Sequence, residues 1–216
     1  MLERYLVWLC LRYRFVTLAT FVVVVALGAG MHRLSVTNDM RAYFSPDNPQ
    51  LAEFEALEAT FVKQDTLYFL VRPPDGDVFT ATTVALVRDL TELGWQAPHS
   101  RRVESFANYL HTWADGDTLN VERLVPLEAR LEAGETTVAL LERIRGVALS
   151  EPFLNPALVA PDGSVAGVNV FLTLPDGDLN ANSEVLDWSS RALAPLRSRY
   201  PDVEILVSGT VASNVA

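Results

Sequence analysis

The stretch VAGVNVFLTL, residues 165–174, is the clearest strand in the sequence. Every second residue from 168 to 174 is aliphatic, and a period of two places successive side chains on opposite faces of a sheet. The turn-forming tetrapeptide PDGD follows at 175–178. The remaining elements of the pattern are a helix over about 182–199 and a strand at 203–208. The sequence therefore predicts one strand–turn–helix–strand unit here.

A second unit with the same order of elements is predicted earlier in the chain. Its elements are the strand TLYFLVR (66–72), the turn PPDGD (73–77), a helix at 79–94 and the strand RVESFANY (102–109). PDGD recurs in both units, but Asp-Gly turns are common, so the shared order of elements carries the argument. Two βαβ units in series predict an α+β fold with ferredoxin-like split βαβ units, in which four strands carry two helices on one face.

A helical insertion over about 118–160 is predicted between the two units. Residues 120–149 show helical periodicity in pieces, interrupted at Pro126 and Gly134. In the later helix, Pro195 is expected to cause a kink or an early end, because proline has no amide hydrogen to donate. The two units and the insertion together make residues 65–216 one predicted domain.

Residues 34–64 are predicted to be a connector that contains an amphipathic helix. Asp47 or Asn48 can cap this helix, and Pro49 suits its first turn. Its apolar face, which we expect to pack on the domain, consists of Leu51, Phe54, Leu57 and Phe61.

Residues 15–31, FVTLATFVVVVALGAGM, form an uncharged stretch of 17 residues. As a helix rising about 1.5 Å per residue it spans roughly 25 Å, the short end of the range for crossing a membrane. We predict a transmembrane helix over about 9–31, within an N-terminal segment 1–33. A cleaved signal peptide with its apolar region at 15–27 is the alternative. The flanking arginines and four consecutive valines disfavour a buried helix of a soluble core.

The charge is distributed unevenly along the chain. Residues 1–14 carry three arginines and one glutamate, whereas residues 34–216 carry 13 basic and 26 acidic side chains. Basic residues favour the cytoplasmic side of a membrane segment, so the N-terminus is predicted to be cytoplasmic and the residues after about 33 periplasmic. The net charge of −10 argues against nucleic acid as a partner. The single cysteine, Cys10, excludes an internal disulfide and a cysteine-based zinc site.

The sequence predicts no catalytic, cofactor-binding or metal-binding residues, no cofactor and no enzyme activity; the substrate-binding residues are unknown. His32, His99 and His111 lack the spacing of a metal site, and we expect the last two to be solvated loop residues. The DGD turns lack the ligand ladder of a calcium loop and are explained by turn chemistry. Arg101 and Arg102 predict a solvated turn, and packing roles are expected for Trp95, Trp113 and Trp188.

The order of these parts resembles the N-terminal stretch of a resistance-nodulation-division (RND) superfamily exporter, of the branch that includes the mycobacterial MmpL and hopanoid-exporter types. The segment NDMRAYFSPDNPQLAEFEALEATF (38–61) is similar to the post-membrane segment of the family, with its F-x-x-D-N-P helix start. Val103, Ser105 and Asn108 match its V-x-S-x-x-N strand. NPALVAPDGSVAGVNVFL (155–172) is similar to a hairpin of the family. The resemblance covers essentially the whole chain.

The resemblance implies a proton-driven transporter of about twelve membrane helices in two repeats, with a periplasmic porter domain after the first helix of each. This chain would be its N-terminal fragment, in the inner membrane. The expected partners are the membrane, a hydrophobic or lipid-like substrate such as a hopanoid or sterol, the remainder of the transporter and a homo-oligomer. The alternative from another class is a single-pass, membrane-anchored periplasmic binding or assembly module. An exported hydrolase would need a nucleophile and base that the sequence does not display.

Overall fold

The computed structural model describes residues 12–30, 45, 48–60, 65–129, 131, 135–175, 178 and 180–213. The helices are α1 (Tyr13–Gly30), α2 (Pro49–Thr60), α3 (Ala81–Gly94), α4 (Glu135–Ser150), α5 (Ala181–Arg199) and α6 (Thr210–Ser213). The strands are β1 (Asp65–Arg72), β2 (Ser100–Glu104), β3 (Leu110–Asp115), β4 (Thr118–Arg123), β5 (Ala166–Leu172) and β6 (Glu204–Ser208). The chain divides into two compact units, residues 1–53 and 54–216.

In the first unit, the apolar stretch forms helix α1, and its large apolar side chains, such as Phe15 and Leu27, are exposed. Within the described part of the chain, no helix has both the length and the apolar character needed to span a bilayer. The transmembrane helix therefore stays a prediction. Cys10 and His32 lie outside the described residues.

Helix α2 begins where the sequence predicts. The Asn48 side-chain oxygen accepts a hydrogen bond from the Gln50 amide at 3.0 Å, which is the N-cap interaction, and Pro49 is the first helical residue. Of the predicted apolar face, Leu57 is exposed and Leu51 half-buried. The side chains of Phe54 and Phe61 lie outside the described ones.

The second unit contains a four-stranded antiparallel sheet in the order β2–β5–β1–β6. Along the chain its elements follow as β1–α3–β2 and β5–α5–β6, so the α+β class and both predicted βαβ units are confirmed. In α5, Arg199 lies next to the terminal residue Tyr200, and both bond Asp89 of α3, at 3.1 and 2.9 Å. The two helices therefore lie on the same face of the sheet.

The core lies between this face and the two helices. Leu67, Phe69 and Val71 of β1 all point towards the helices and are fully buried. The buried residues of α5 recur at a spacing of four, which is one helical face: Ala181, Val185, Ser189 and Leu193. On the opposite face of the sheet, Tyr68 crosses Gly167 of β5 and donates a hydrogen bond to the Ala157 carbonyl at 2.7 Å. A side chain at position 167 would collide with that ring.

The start of β1 and the end of β6 lie side by side. The Thr66 amide donates to the Thr210 hydroxyl oxygen at 2.8 Å, and the Thr210 amide donates to the Thr66 hydroxyl oxygen at 3.2 Å. Gly209 makes this approach possible, because its φ of 109° is left-handed and a Cβ there would meet the Thr66 carbonyl. The chain therefore enters and leaves the sheet at one corner.

Three sequence predictions are corrected. The predicted helix over 120–134 is wrong at its start, because Thr118–Arg123 is strand β4 and α4 begins only at Glu135. The predicted strand 102–109 ends at Glu104, because residues 106–108 form a turn. Helix α5 is not shortened at Pro195: it continues to Arg199 because Leu196 and Tyr200, beyond the proline, pack against the core.

Candidate functional site: the β3–β4 hairpin

Strands β3 and β4 form a separate two-stranded sheet that projects from the insertion. Gly116 and Asp117 make its two-residue turn, and the φ of 58° at Gly116 is the left-handed value that such turns use. At its base, the Leu124 amide donates to the Tyr109 carbonyl at 2.8 Å, and Leu124 and Val125 are buried. The hairpin is therefore an arm that is fixed at its base.

One face of the hairpin is apolar and exposed to solvent. The pairing of Thr112 with Val121 and of Ala114 with Leu119 places these side chains on a common face. Leu110, on the same face, is 56% exposed, Leu119 is 68% exposed and Val121 is 54% exposed. We name this surface the outer face.

The other face, which we name the inner face, contacts α4 and the residue after it. His111 and Trp113 stack with ring centroids 5.5 Å apart, and the Arg143 guanidinium of α4 lies 4.9 Å from the Trp113 ring centroid. Arg143 also pairs with Glu122 of β4 at 3.4 Å. A cation over an aromatic face contributes about 0.5–1 kcal/mol where it is exposed. The inner face is thus held by polar and aromatic contacts.

Glu151 joins two groups of the hairpin to the end of α4. Its Oε2 accepts a hydrogen bond from the Tyr109 hydroxyl at 3.1 Å, and its Oε1 lies 3.8 Å from His111 Nδ1. Burial, together with the hydrogen bond and negative charge of Glu151, raises the pKa of Tyr109 above its usual value of 10.0. Tyr109 is therefore a neutral donor at physiological pH. His111 Nδ1 is buried and has no hydrogen-bond partner within the described part of the chain.

This cluster can bind a proton and hold a surface, but it lacks the parts of a nucleophilic site. Serine, threonine and cysteine are not among the side chains that contact His111 in the described structure. The described residues also contain no group of three or more His, Cys, Asp or Glu side chains that could hold a metal ion. The arrangement is therefore suited to docking and to charge sensing.

The histidines occupy different environments. His99 is an exposed turn residue with a φ of 62°, as the sequence predicts for its surroundings. The prediction for His111 is wrong, because this residue lies in strand β3 and is half-buried against Glu151.

The other residues considered from the sequence have packing or turn roles. Arg101 and Arg102 lie in β2 rather than in a turn, and Arg102 covers the Phe171 ring at 4.2 Å. Trp95 is about half exposed, and Trp188 packs against the core. In the first DGD turn, the Asp75 carboxylate accepts from the Asp77 amide at 3.3 Å, as turn chemistry predicts. Gly177, in the third, lies outside the described residues.

The V-x-S-x-x-N motif closes the end of β2. The Asn108 side chain accepts from the Ser105 amide at 2.9 Å and donates to the Val103 carbonyl at 2.7 Å. The buried Ser105 hydroxyl shares a hydrogen bond of 2.8 Å with Thr91 of α3. The three residues of the motif therefore fix a turn that joins the sheet to α3 and to the base of the hairpin.

Sequence reasoning missed the inner face. Tyr109, Arg143 and Glu151 come from three different elements, and no local spacing relates them. The available signal was the alternation in LHTWADGDTLNVER, in which a two-residue Gly-Asp turn separates two alternating runs. No known protein-family profile matches the chain, and no curated protein matches it at a significant level.

Proposed function

We propose that the chain is the first transmembrane helix and the first periplasmic loop of a proton-driven RND-type exporter of hydrophobic or lipid-like molecules. In this proposal α1 lies in the inner membrane with the N-terminus in the cytoplasm, and the βαβ domain belongs to the periplasm. The hopanoid-exporter-like branch supplies the expected substrates, which are hopanoids, sterols or other lipids.

The observation that carries the proposal is the contact between Thr66 and Thr210. A domain inserted between two consecutive membrane helices must receive and return the chain close to one point of the membrane surface. The paired hydrogen bonds of 2.8 and 3.2 Å hold the two ends of the βαβ domain in that arrangement. A terminal anchored module has no such requirement, because only one of its ends needs to face the membrane.

Two further features support the proposal. The sheet order β2–β5–β1–β6 is that of the ferredoxin-like arrangement expected of a porter module. The outer face of the hairpin exposes Leu110, Leu119 and Val121 together, and exposed apolar surfaces of this kind commonly mark interaction sites. In an exporter this face would contact apolar cargo or a neighbouring part of the transporter.

The first test is the reading frame beyond codon 216 together with a topology map. An apolar run of about 20 residues soon after residue 216 is expected. Alkaline phosphatase fused after Ser213 should be active, because that point is periplasmic, and the same enzyme fused after Arg14 should be inactive. A stop codon immediately after residue 216 would favour the single-pass module, and activity of the Arg14 fusion would contradict the proposed orientation.

The second test concerns the cargo. Lipids would be extracted from the purified intact transporter and identified by mass spectrometry, in parallel with a variant that carries Leu119→Gln and Val121→Gln. The intact transporter should retain lipid-like molecules, and the variant should retain less of them. Recovery of small polar compounds alone would rule out a lipid substrate.

A further inference from the structure

The position of the hairpin depends on its inner face. All residues of β3 and β4 are described, and none of them is buried. A two-stranded hairpin is at best marginally stable by itself in water. Beyond its base, the arm is therefore held by the Arg143 contacts and by the group formed by Tyr109, His111 and Glu151.

His111 is the group of this anchor whose charge changes near neutral pH. When a neutral imidazole carries its hydrogen on Nε2, the Nδ1 lone pair faces the Glu151 carboxylate across 3.8 Å and no bond forms. A proton taken from solvent at Nδ1 turns this nitrogen into a donor that faces a carboxylate. The same proton also makes the imidazole a cation.

The surrounding charges favour that protonation. Glu122 is the direct cross-strand partner of His111, so carboxylates lie on two sides of the imidazole. Arg143, which reaches the site from α4, opposes a second cation, but its charge is paired with Glu122 at 3.4 Å. Tyr109 remains neutral and occupies the other oxygen of Glu151. Within the described residues, two carboxylates and one guanidinium therefore face His111.

We propose that protonation of His111 locks the β3–β4 hairpin onto α4 through an imidazolium–carboxylate pair with Glu151, and that the neutral imidazole loosens the arm. The inference does not depend on the proposed transport function. Docking takes up one proton, so by linkage the docked arm is favoured at low pH. Because imidazoles commonly titrate between pH 5 and 8, the transition falls within that interval. The outer face moves with the arm, so its presentation becomes sensitive to pH.

The test is a distance measurement on the purified full chain. Spin labels would be placed at the hairpin tip and on α4 through Asp117→Cys and Glu142→Cys, two exposed positions, in a Cys10→Ser background. At pH 5.5 we expect one narrow distance distribution. At pH 8 the undocked population should rise about fivefold, the equilibrium effect of an ion pair that contributes close to 1 kcal/mol.

Three variants separate this device from a purely structural contact. His111→Gln should give the same distribution at both pH values, and Glu151→Gln should do the same without altering the hairpin. His99→Gln removes an exposed histidine away from the arm and should retain the full pH response. Identical distributions for the unsubstituted side-chain cluster at pH 5.5 and 8 would overturn the proposal. So would a full response in Glu151→Gln, which also serves if His111→Gln fails to fold.

Discussion

Thr66 and Thr210, 144 residues apart, hydrogen-bond reciprocally through backbone amides and side-chain hydroxyls. This relationship joins the first strand of the sheet to the helix that follows its last strand. It also fixes the corner at which the chain enters and leaves the βαβ domain.

The first prediction concerns this contact. Thr210→Val keeps the shape of the side chain but removes the acceptor of the Thr66 amide, so the free energy of unfolding should fall by about 1 kcal/mol. Urea denaturation followed by circular dichroism measures the change. Thr112→Val, the same substitution at an exposed position of the outer face, should change stability by less than about 0.5 kcal/mol. Equal effects of the two substitutions would show that the Thr66–Thr210 contact contributes nothing specific.

The second prediction concerns Gly167. A Cβ at this position would lie 2.7 Å from Cε1 of Tyr68 and closer still to its Oη, so Gly167→Ala must displace the ring from the Ala157 carbonyl. We expect a loss of about 1–3 kcal/mol in the free energy of unfolding. Gly146→Ala in α4 meets no atom within 4 Å and should be neutral or stabilising.

A double-mutant cycle tests the stated cause of the Gly167 effect. In a Tyr68→Ala background, Gly167→Ala should cost much less, because the colliding ring is absent. The same cost in both backgrounds would mean that the sheet backbone, and not Tyr68, requires glycine at this position.

The third prediction concerns alkaline pH. Burial raises the pKa of Tyr68 above its usual value of 10.0. Burial, the hydrogen bond to Asp89 and the charge of Asp89 raise the pKa of Tyr200 as well. Each phenol therefore keeps its proton longer in the folded chain than in the unfolded chain. Their contribution to stability is fully present below about pH 10 and is lost as the pH rises through the raised values.

Urea denaturation at pH 8, 10 and 11 measures this loss. The free energy of unfolding should decrease above pH 10, and Tyr200→Phe should make the decrease shallower. At pH 8 the same variant should be about 1 kcal/mol less stable, because it loses its hydrogen bond to Asp89. An unchanged alkaline slope in Tyr200→Phe would contradict the assigned role.

The fourth prediction concerns the turn after β2. Asn108→Ala removes the acceptor of the Ser105 amide and the donor to the Val103 carbonyl, which should cost about 2 kcal/mol. Asn108→Asp keeps the acceptor and loses the donor, so its effect should be smaller. Hydrogen exchange of β3 amides should accelerate in Asn108→Ala, because the turn supports the base of the hairpin. If Asn108→Asp were as harmful as Asn108→Ala, the amide hydrogen bond would not be the important one.

The sequence predicted the elements whose local pattern agrees with their environment. The aliphatic alternation of β5 and the Asn48–Pro49 start of α2 are confirmed, because strand burial and helix capping depend on neighbouring residues. The errors fall where distant contacts prevail. Helix α5 passes Pro195 because packing of Leu196 and Tyr200 stabilises its last turn.

The candidate site was the least predictable part of the chain. Nothing local marks Glu151 as the partner of Tyr109 or His111, since the residues between them include a hairpin and the whole of α4. His111 alone reads as a loop histidine. Its half-buried position next to a carboxylate exists only once the hairpin folds back on α4.

The sequence by itself determined the α+β class, the two βαβ units, the capped helix α2 and the acidic character of the chain, because hydrophobic period, turn residues and charge are local properties. Only the tertiary structure decided that the two ends of the domain meet at Thr66 and Thr210. It alone divided the hairpin into an apolar outer face and a titratable inner face. Both results depend on which surfaces pack together, and packing couples residues that are far apart in the chain.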